Sequence, residues 1–337
     1  MQLEGTILRG RDFDPVEGRV VVEDGTITAI EETATESTDI ILPAFVNAHT
    51  HLGDSIAKEA GEGLSLDDLV APPDGLKHRL LRAASTEEKA AAMHRSLRMM
   101  EAGGTAACLE FREGGVEGVD VIRRALDGRD IEAVVFGRET ADAMEIADGF
   151  GASGARDGEF GALRNATAAA GKLFGIHAGE RDAHDINAAL DLEPDFLVHM
   201  VHPEALHLER VEDSEIPVVI CPRSNLVTDA GVAPIRELVD RTTVALGTDN
   251  VMLNSPSMFR EMEFTSKLAD VSAAEVLRMA TVNGADIAGL NYGLVEEGRD
   301  AKLLVLDGDT DNLAGVEDVV RAVVRRAGQA DVKDVYL

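Results

Sequence analysis

Between residues 43 and 290 the chain alternates short apolar runs with stretches of helical period. The apolar runs fall at 43–49, 105–111, 131–136, 145–148, 173–178, 195–200, 216–221 and 243–248. Helical patterns separate them, for example Thr86–Ala102, Glu159–Ala170 and Ala273–Asn283. Strands that alternate with helices pair in parallel, because each crossover must span the sheet and lay a helix on its face. Such units filling a block of about 250 residues predict an α/β chain wound into a (β/α)8 TIM barrel.

The flanks have a different rhythm. Residues 1–42 read as short strands at Thr6–Arg9, Arg19–Glu23 and, after the hairpin dipeptide Asp24-Gly25, Thr26–Ile30. Residues 291–337 resume that character with Ala301–Leu306. The expected organisation is a catalytic barrel over 43–290 and a small β-sandwich built from both termini, 1–42 plus 291–337. Residues 54–85 are long for a βα connection and carry Pro72-Pro73 and several glycines, so they read as a lid or entry loop.

Chemistry gathers at the strand ends, where a barrel of this kind keeps its active site. His49-Thr50-His51 closes the first strand, and side chains two apart on a strand share a face, so both rings can meet one ion. His177 closes the fifth strand, His199 the sixth and Asp249 the eighth. Imidazole and carboxylate ligands suit a borderline divalent ion, Zn²⁺ ahead of Fe²⁺, with one position open. A single histidine at a strand end is an ordinary packed residue. Four matching strand ends are not.

At this point a family resemblance becomes specific. Leu42-Pro43-Ala44-Phe45-Val46-Asn47-Ala48-His49-Thr50-His51-Leu52 resembles the opening motif of the amidohydrolase superfamily. His177-Ala178-Gly179-Glu180, Cys221-Pro222-Arg223-Ser224-Asn225 and Gly247-Thr248-Asp249-Asn250 resemble its cytosine deaminase-like branch, which includes adenosine, guanine and S-adenosylhomocysteine deaminases and chlorohydrolases. The resemblance runs over essentially the whole chain. It implies that His49, His51, His177 and Asp249 bind one divalent metal, that Glu180 shuttles protons, and that His199 orients or deprotonates the attacking water with help from Asp249. His202 competes with His199 for the sixth-strand role. Binuclear relatives need a carboxylated lysine near the fourth strand, and no lysine lies between Lys89 and Lys172, so one ion is expected.

The implied reaction is hydrolytic removal of ammonia from a purine, pyrimidine or related heterocycle. The same ligands would also serve a cyclic amide hydrolase or a triazine-type chloro- or aminohydrolase. From another class, the barrel could be inactive and merely bind a ligand. Arg112 and Arg138 follow the second and third strands and could clamp a substrate carboxylate or phosphate, with Asn225 as a further substrate contact. Their alternative is pairing with Glu110, Glu113 and Glu139. His78, His94, His184 and His207 have no matching context and read as surface residues.

Composition narrows the partners. With 62 Asp+Glu against 32 Lys+Arg the net charge is -30, which repels phosphate backbones and excludes a nucleic-acid binder. Acidity spread without a tail, few lysines and no Trp predict a halophilic, haloarchaeal-type cytoplasmic protein, whose self-repulsion molar salt would screen. Cys108 and Cys221 are too few for a disulfide framework, and no apolar run is long enough for a membrane span. The expected partner is a small heterocyclic substrate, with a homo-oligomer possible. Gly149-Phe150-Gly151-Ala152-Ser153-Gly154 fits a dinucleotide-binding pattern, but no helix pattern opens on it.

Overall fold

Two sheets organise the computed structural model, which describes residues 1–337. Strands β1 (Gln2–Arg9), β2 (Asp14–Glu23), β3 (Thr26–Glu32) and β4 (Ile40–Pro43) come first. They are followed by β5 (Phe45–His51), β6 (Thr105–Arg112), β7 (Glu132–Gly137), β8 (Gly149–Ala152) and β9 (Leu173–Ala178). Then come β10 (Phe196–His199), β11 (Val218–Ile220), β12 (Val244–Leu246) and β13 (Asp249–Asn250). The chain ends with β14 (Leu303–Leu306) and β15 (Val332–Tyr336).

The larger sheet is parallel and nine-stranded, in the order β12-β11-β10-β9-β8-β7-β6-β5-β13. Its two edge strands, β12 and β13, are separated in sequence only by Gly247-Thr248. The sheet therefore curls until its edges meet, with Asp249 beside Thr50 and Asn250 beside His51, consistent with a TIM-like barrel. Gly247 makes this approach feasible: a Cβ there would lie 2.6 Å from His49 Cβ. Side chains alternate across the sheet. On β5, Phe45 joins a core of 42 buried residues, whereas Val46 and Ala48 join a second core with Phe111, Phe136 and Phe196.

The termini form one six-stranded sheet, β15-β14-β4-β1-β2-β3, antiparallel apart from the β1–β4 pair. Alternation again sorts the residues. Ile7, Ile41, Leu303 and Val305 pack in a small cluster of their own, while Leu8, Leu42, Leu304 and Leu306 join the large core. The terminal sheet thus packs one face against the curled sheet's core.

Expected and observed elements differ in three places. The fourth strand is at 149–152, not 145–148. Thr140 accepts from Ala143 N and starts a helix over Ala141–Ile146, so part of the apolar run is helical. The Gly-x-Gly pattern instead supplies that strand. A Cβ on Gly149 would fall 2.8 Å from Phe136, and one on Gly151 2.8 Å from Phe111, so glycine lets the aromatic rings of neighbouring strands pack here. The stretch 273–283 divides into helices Ala273–Ala280 and Val282–Ala288. Finally, the terminal strands hydrogen-bond into a single sheet. The helix Thr86–Ala102 matches its expected bounds and begins with a Ser85/Glu88 capping box.

The long segment after β5 is folded, not loose. A 3₁₀ turn at Leu52–Ala57 leads to helices Leu66–Val70 and Leu76–Ala83. Ala57 and Leu69 pack with Met252 and Leu253, which follow β13, with Leu76 and Leu80 against them. No helix of the protein is long and apolar enough to cross a membrane.

Candidate metal centre

Four strand ends bring the expected residues together. His49 and His51 come from β5, His177 from β9, His199 from the end of β10 and Asp249 from β13. All five are buried. Asp249 Oδ1 lies 3.4 Å from His49 Nε2 and 3.6 Å from His51 Nε2, and His51 Nε2 is 3.4 Å from His177 Nε2. Ligand atoms within 4.8 Å of one another form three overlapping groups: His49, His51 and Asp249; His49, His177 and His199; and Glu180, His199 and Asp249. His202 is exposed, so His199 is the sixth-strand residue at the site. His199 (φ 80°) and Asp249 (φ 57°) both adopt left-handed backbone, a conformation that costs free energy and concentrates at functional sites.

These residues fit a divalent ion. Burial holds the rings of His49 and His177 below the ordinary histidine pKa, and that of His51 down at about 3, so all three offer lone pairs rather than charge. Neither ring nitrogen of His49 has a hydrogen-bond partner, although the residue is fully buried. An unsatisfied buried polar group of this kind is rare and costly, and an ion would satisfy it. His177 Nδ1 donates to Ala152 O at 2.7 Å, which turns Nε2 towards the centre. Asp249 remains ionised. Burial alone would raise its carboxyl, but His49, His199 and His51 bring it well below the usual range. Its Oδ2 accepts from Ser224 at 2.5 Å and its Oδ1 from Asn250 at 2.9 Å.

Glu180 stands at the open side. Its Oε2 is 3.6 Å from His199 Nε2, and burial raises its carboxyl above the ordinary value against the pull of His199. Asn225 Nδ2 contacts His199 Nδ1 at 3.1 Å and Glu180 Oε1 at 3.5 Å. The amide expected to contact substrate is thus occupied with fixing these two groups. A cavity opens over the cluster, walled by Glu180, His199 and Asp249, and by Val70, Pro72, Lys77 and His78 of the covering segment.

The two arginines meet acids. Arg112 donates to Glu110 Oε1 at 2.9 Å and Glu113 Oε2 at 2.7 Å, with its guanidinium laid over Gly53, where a Cβ would clash. It does not wall the catalytic cavity. Arg138 donates to Glu113 Oε1 at 3.0 Å and does wall it. Glu113 also lies 2.7 Å from His51 Nδ1 and from Lys77 Nζ. Burial would raise the Glu113 carboxyl, yet Lys77, His51 and Arg112 hold it well below the ordinary range. Sequence reasoning overlooked Lys77, because no spacing signals a contact between residues 77 and 250, and it quoted Ser224 and Asn250 within motifs without assigning either a role. His207 and His78 were expected at the surface. His207 is instead buried, with its Nδ1 accepting from Glu204 N at the start of a helix, and His78 sits in the cavity wall.

Residues 40–337 match the sequence pattern of the amidohydrolase family, the stretch that holds every one of these side chains. The chain belongs to the amidohydrolase family. Among its relatives, an uncharacterized protein of Methanocaldococcus jannaschii is 34% identical over 99% of this chain and 97% of its own. A 5-methylthioadenosine/S-adenosylhomocysteine deaminase of Halobacterium salinarum is 29% identical over 99% of this chain and 90% of its own. A zinc-bound adenosine deaminase from Xanthomonas campestris shares the fold with a TM-score of 0.80 at 20% identity, covering 100% of this amidohydrolase and 91% of that chain. A zinc-complexed atrazine chlorohydrolase from Arthrobacter aurescens does so at 0.81 and 18%, covering 99% and 93%. Membership makes the protein a hydrolase, and its His/Asp cluster is built to bind metal.

Proposed function

We propose that this amidohydrolase deaminates a purine, pyrimidine or related heterocycle, replacing a ring amino group by oxygen and releasing ammonia. His49, His51, His177 and Asp249 hold one divalent ion in this reading, zinc ahead of iron(II). Bound there, such an ion supplies Lewis acidity, lowering the pKa of a water from 15.7 towards about 7. The other tasks fall to the chain. Asp249 accepts a proton from the attacking water, while Ser224 and Asn250 keep its two oxygens in place. His199, fixed through Nδ1 by Asn225, orients that water. Glu180, with its raised carboxyl facing the cavity, carries a proton to the ring nitrogen beside the attacked carbon. A proton delivered to the amino group then lets it leave as ammonia.

The observation that carries this proposal is the convergence of buried, lone-pair-bearing rings on Asp249, with the Glu180 carboxyl beside His199 where the cavity opens. The deaminase name of the Halobacterium salinarum relative points the same way. We also read β12 and β13 as one interrupted eighth strand, so that 43–290 is the catalytic (β/α)8 domain and 1–42 with 291–337 a second domain built on the single terminal sheet. The buried, unpaired Cys108 and Cys221 suit a reducing cytoplasm.

The test is metal analysis followed by ammonia release across a panel of aminopurines and aminopyrimidines. One ion per chain with ammonia release is expected. Chloride release from a halogenated triazine, or opening of a cyclic amide without ammonia, would move the assignment to those reactions. A metal-free protein without turnover would leave a ligand-binding barrel.

A further inference from the structure

Lys77 is buried, 3% exposed, although it belongs to the helix Leu76–Ala83 in the segment that covers the site. Burying an ammonium is expensive unless its partners are well placed, so the identity of those partners is informative. Nζ donates to Asn250 Oδ1 at 2.9 Å and lies 2.7 Å from Glu113 Oε1. Each contact continues to a different member of the metal cluster. Glu113 Oε1 is 2.7 Å from His51 Nδ1. Asn250 Nδ2 donates to Asp249 Oδ1 at 2.9 Å, the oxygen that faces His49 and His51.

We propose that Lys77 is a positioning residue that clamps His51 and Asp249 into ligand geometry through two arms, Lys77–Glu113–His51 and Lys77–Asn250–Asp249. The inference rests on the metal-site reading above. The Asn250 arm has a clear physical logic. An amide turns either its oxygen or its nitrogen towards a neighbour, and Lys77, which can only donate, accepts only the oxygen. That choice points the nitrogen at Asp249. Without the ammonium, Asp249 alone selects the nitrogen, so the amide loses one of the two partners that fix its plane and its distance from the carboxylate. On the Glu113 arm, Arg112 and Arg138 still hold the carboxylate when Lys77 is gone, so this arm loosens less. The covering segment and the ligand set are thereby coupled: displacing the helix withdraws one side chain from both arms.

Lys77→Met keeps most of the stem and removes the donor. Leu80→Ala, on the same helix and packed against the covering segment's apolar cluster, trims apolar contact there while leaving the helix seated and the residues of both arms in place. Zn²⁺ affinity is measured on the whole protein by competition with a chromophoric chelator, with kcat and KM as a second readout. Partners that orient metal ligands typically contribute 10–100-fold to affinity. Lys77→Met should lose roughly that factor and lower kcat more than it raises KM, whereas Leu80→Ala and Lys77→Arg stay within a few-fold of wild type. Should Lys77→Met not fold, Lys77→Gln, which retains an amide donor, should show a smaller loss in the same direction. Wild-type affinity in Lys77→Met or Lys77→Gln overturns the clamp while leaving the metal site intact. Equal losses in Lys77→Met and Leu80→Ala also overturn it, since the effect is then one of loosened packing. A wild-type protein that binds no Zn²⁺ overturns the metal-site reading itself, and the clamp with it.

Discussion

Two buried polar groups lie side by side at the mouth of the sheet and are built on opposite principles. In the histidine cluster, the uncharged rings of His49, His51 and His177 face one another, and neither ring nitrogen of His49 has a well-formed hydrogen bond, Asp249 Oδ1 standing 3.4 Å from its Nε2. In the adjoining knot of Lys77, Glu110, Arg112, Glu113 and Arg138, every cation touches a carboxylate within 3.0 Å. Glu113 belongs to the knot and touches His51, so the two are in contact yet distinct. The knot is complete as it stands. The cluster is not, and that deficit marks where something from outside the chain belongs.

This contrast can be broken first at the cluster. His177→Ala should lose metal and turnover together, by more than the roughly 10²–10⁴ expected for one acid–base group. Metal content per chain and kcat check it, and a variant that keeps its ion would remove His177 from the ligand set. Glu180→Gln should behave differently. It should retain the ion and the fold while turnover falls by roughly 10²–10⁴. The sign of its pH dependence also follows. As the acid that delivers a proton to the ring nitrogen, Glu180 must enter protonated, so the wild-type rate falls as pH rises through its raised pKa, and Glu180→Gln loses that limb.

The knot should answer in stability before activity. Arg112→Met leaves Glu110 buried beside an uncharged neighbour, a loss worth about 3–5 kcal/mol measured by urea unfolding. Because Arg112 does not wall the cavity, KM should change little in whatever folds. Arg138 is the intermediate case, paired with Glu113 but facing the cavity. Arg138→Met should raise KM for anionic substrates selectively, by up to about 1.5–3 kcal/mol, and equal effects on neutral substrates would return it to the knot. The smallest effect should come from salt. Surface acidity responds to screening and the buried knot does not, so Tm should rise gradually between roughly 0.1 and 3 M KCl. A flat profile would separate the acidic composition from any halophilic role.

The cluster was legible in the sequence and the knot was not, for a physical reason. A strand end fixes where its side chain points, so the pattern set His49, His51, His177 and Asp249 at one end of the sheet and left His199 and His202 competing for the sixth strand, while their roles came from the family resemblance. Ion pairing depends on which acid lies nearest in space. Arg112 and Arg138 therefore looked as ready for a substrate anion as for Glu113. The fourth strand escaped for a related reason, since Gly-Phe-Gly-Ala has little intrinsic strand preference and is held there by neighbouring strands β7 and β9. Lys77 had no signature at all. Its role depends on a fold that brings the covering segment over β13.

The pairing of β13 with β5 also sets a schedule for synthesis. His49 and His51 leave the ribosome early, but the carboxylate that completes their site sits on the strand that closes the sheet, about 200 residues later. At roughly 5–20 residues per second that interval lasts about 10–40 s. During it a nascent chain carries histidines without their counter-ligand. In the proposed ligand set the same residue both closes the ring and completes the site, so the growing polypeptide would have no complete site to load until its sheet is closed.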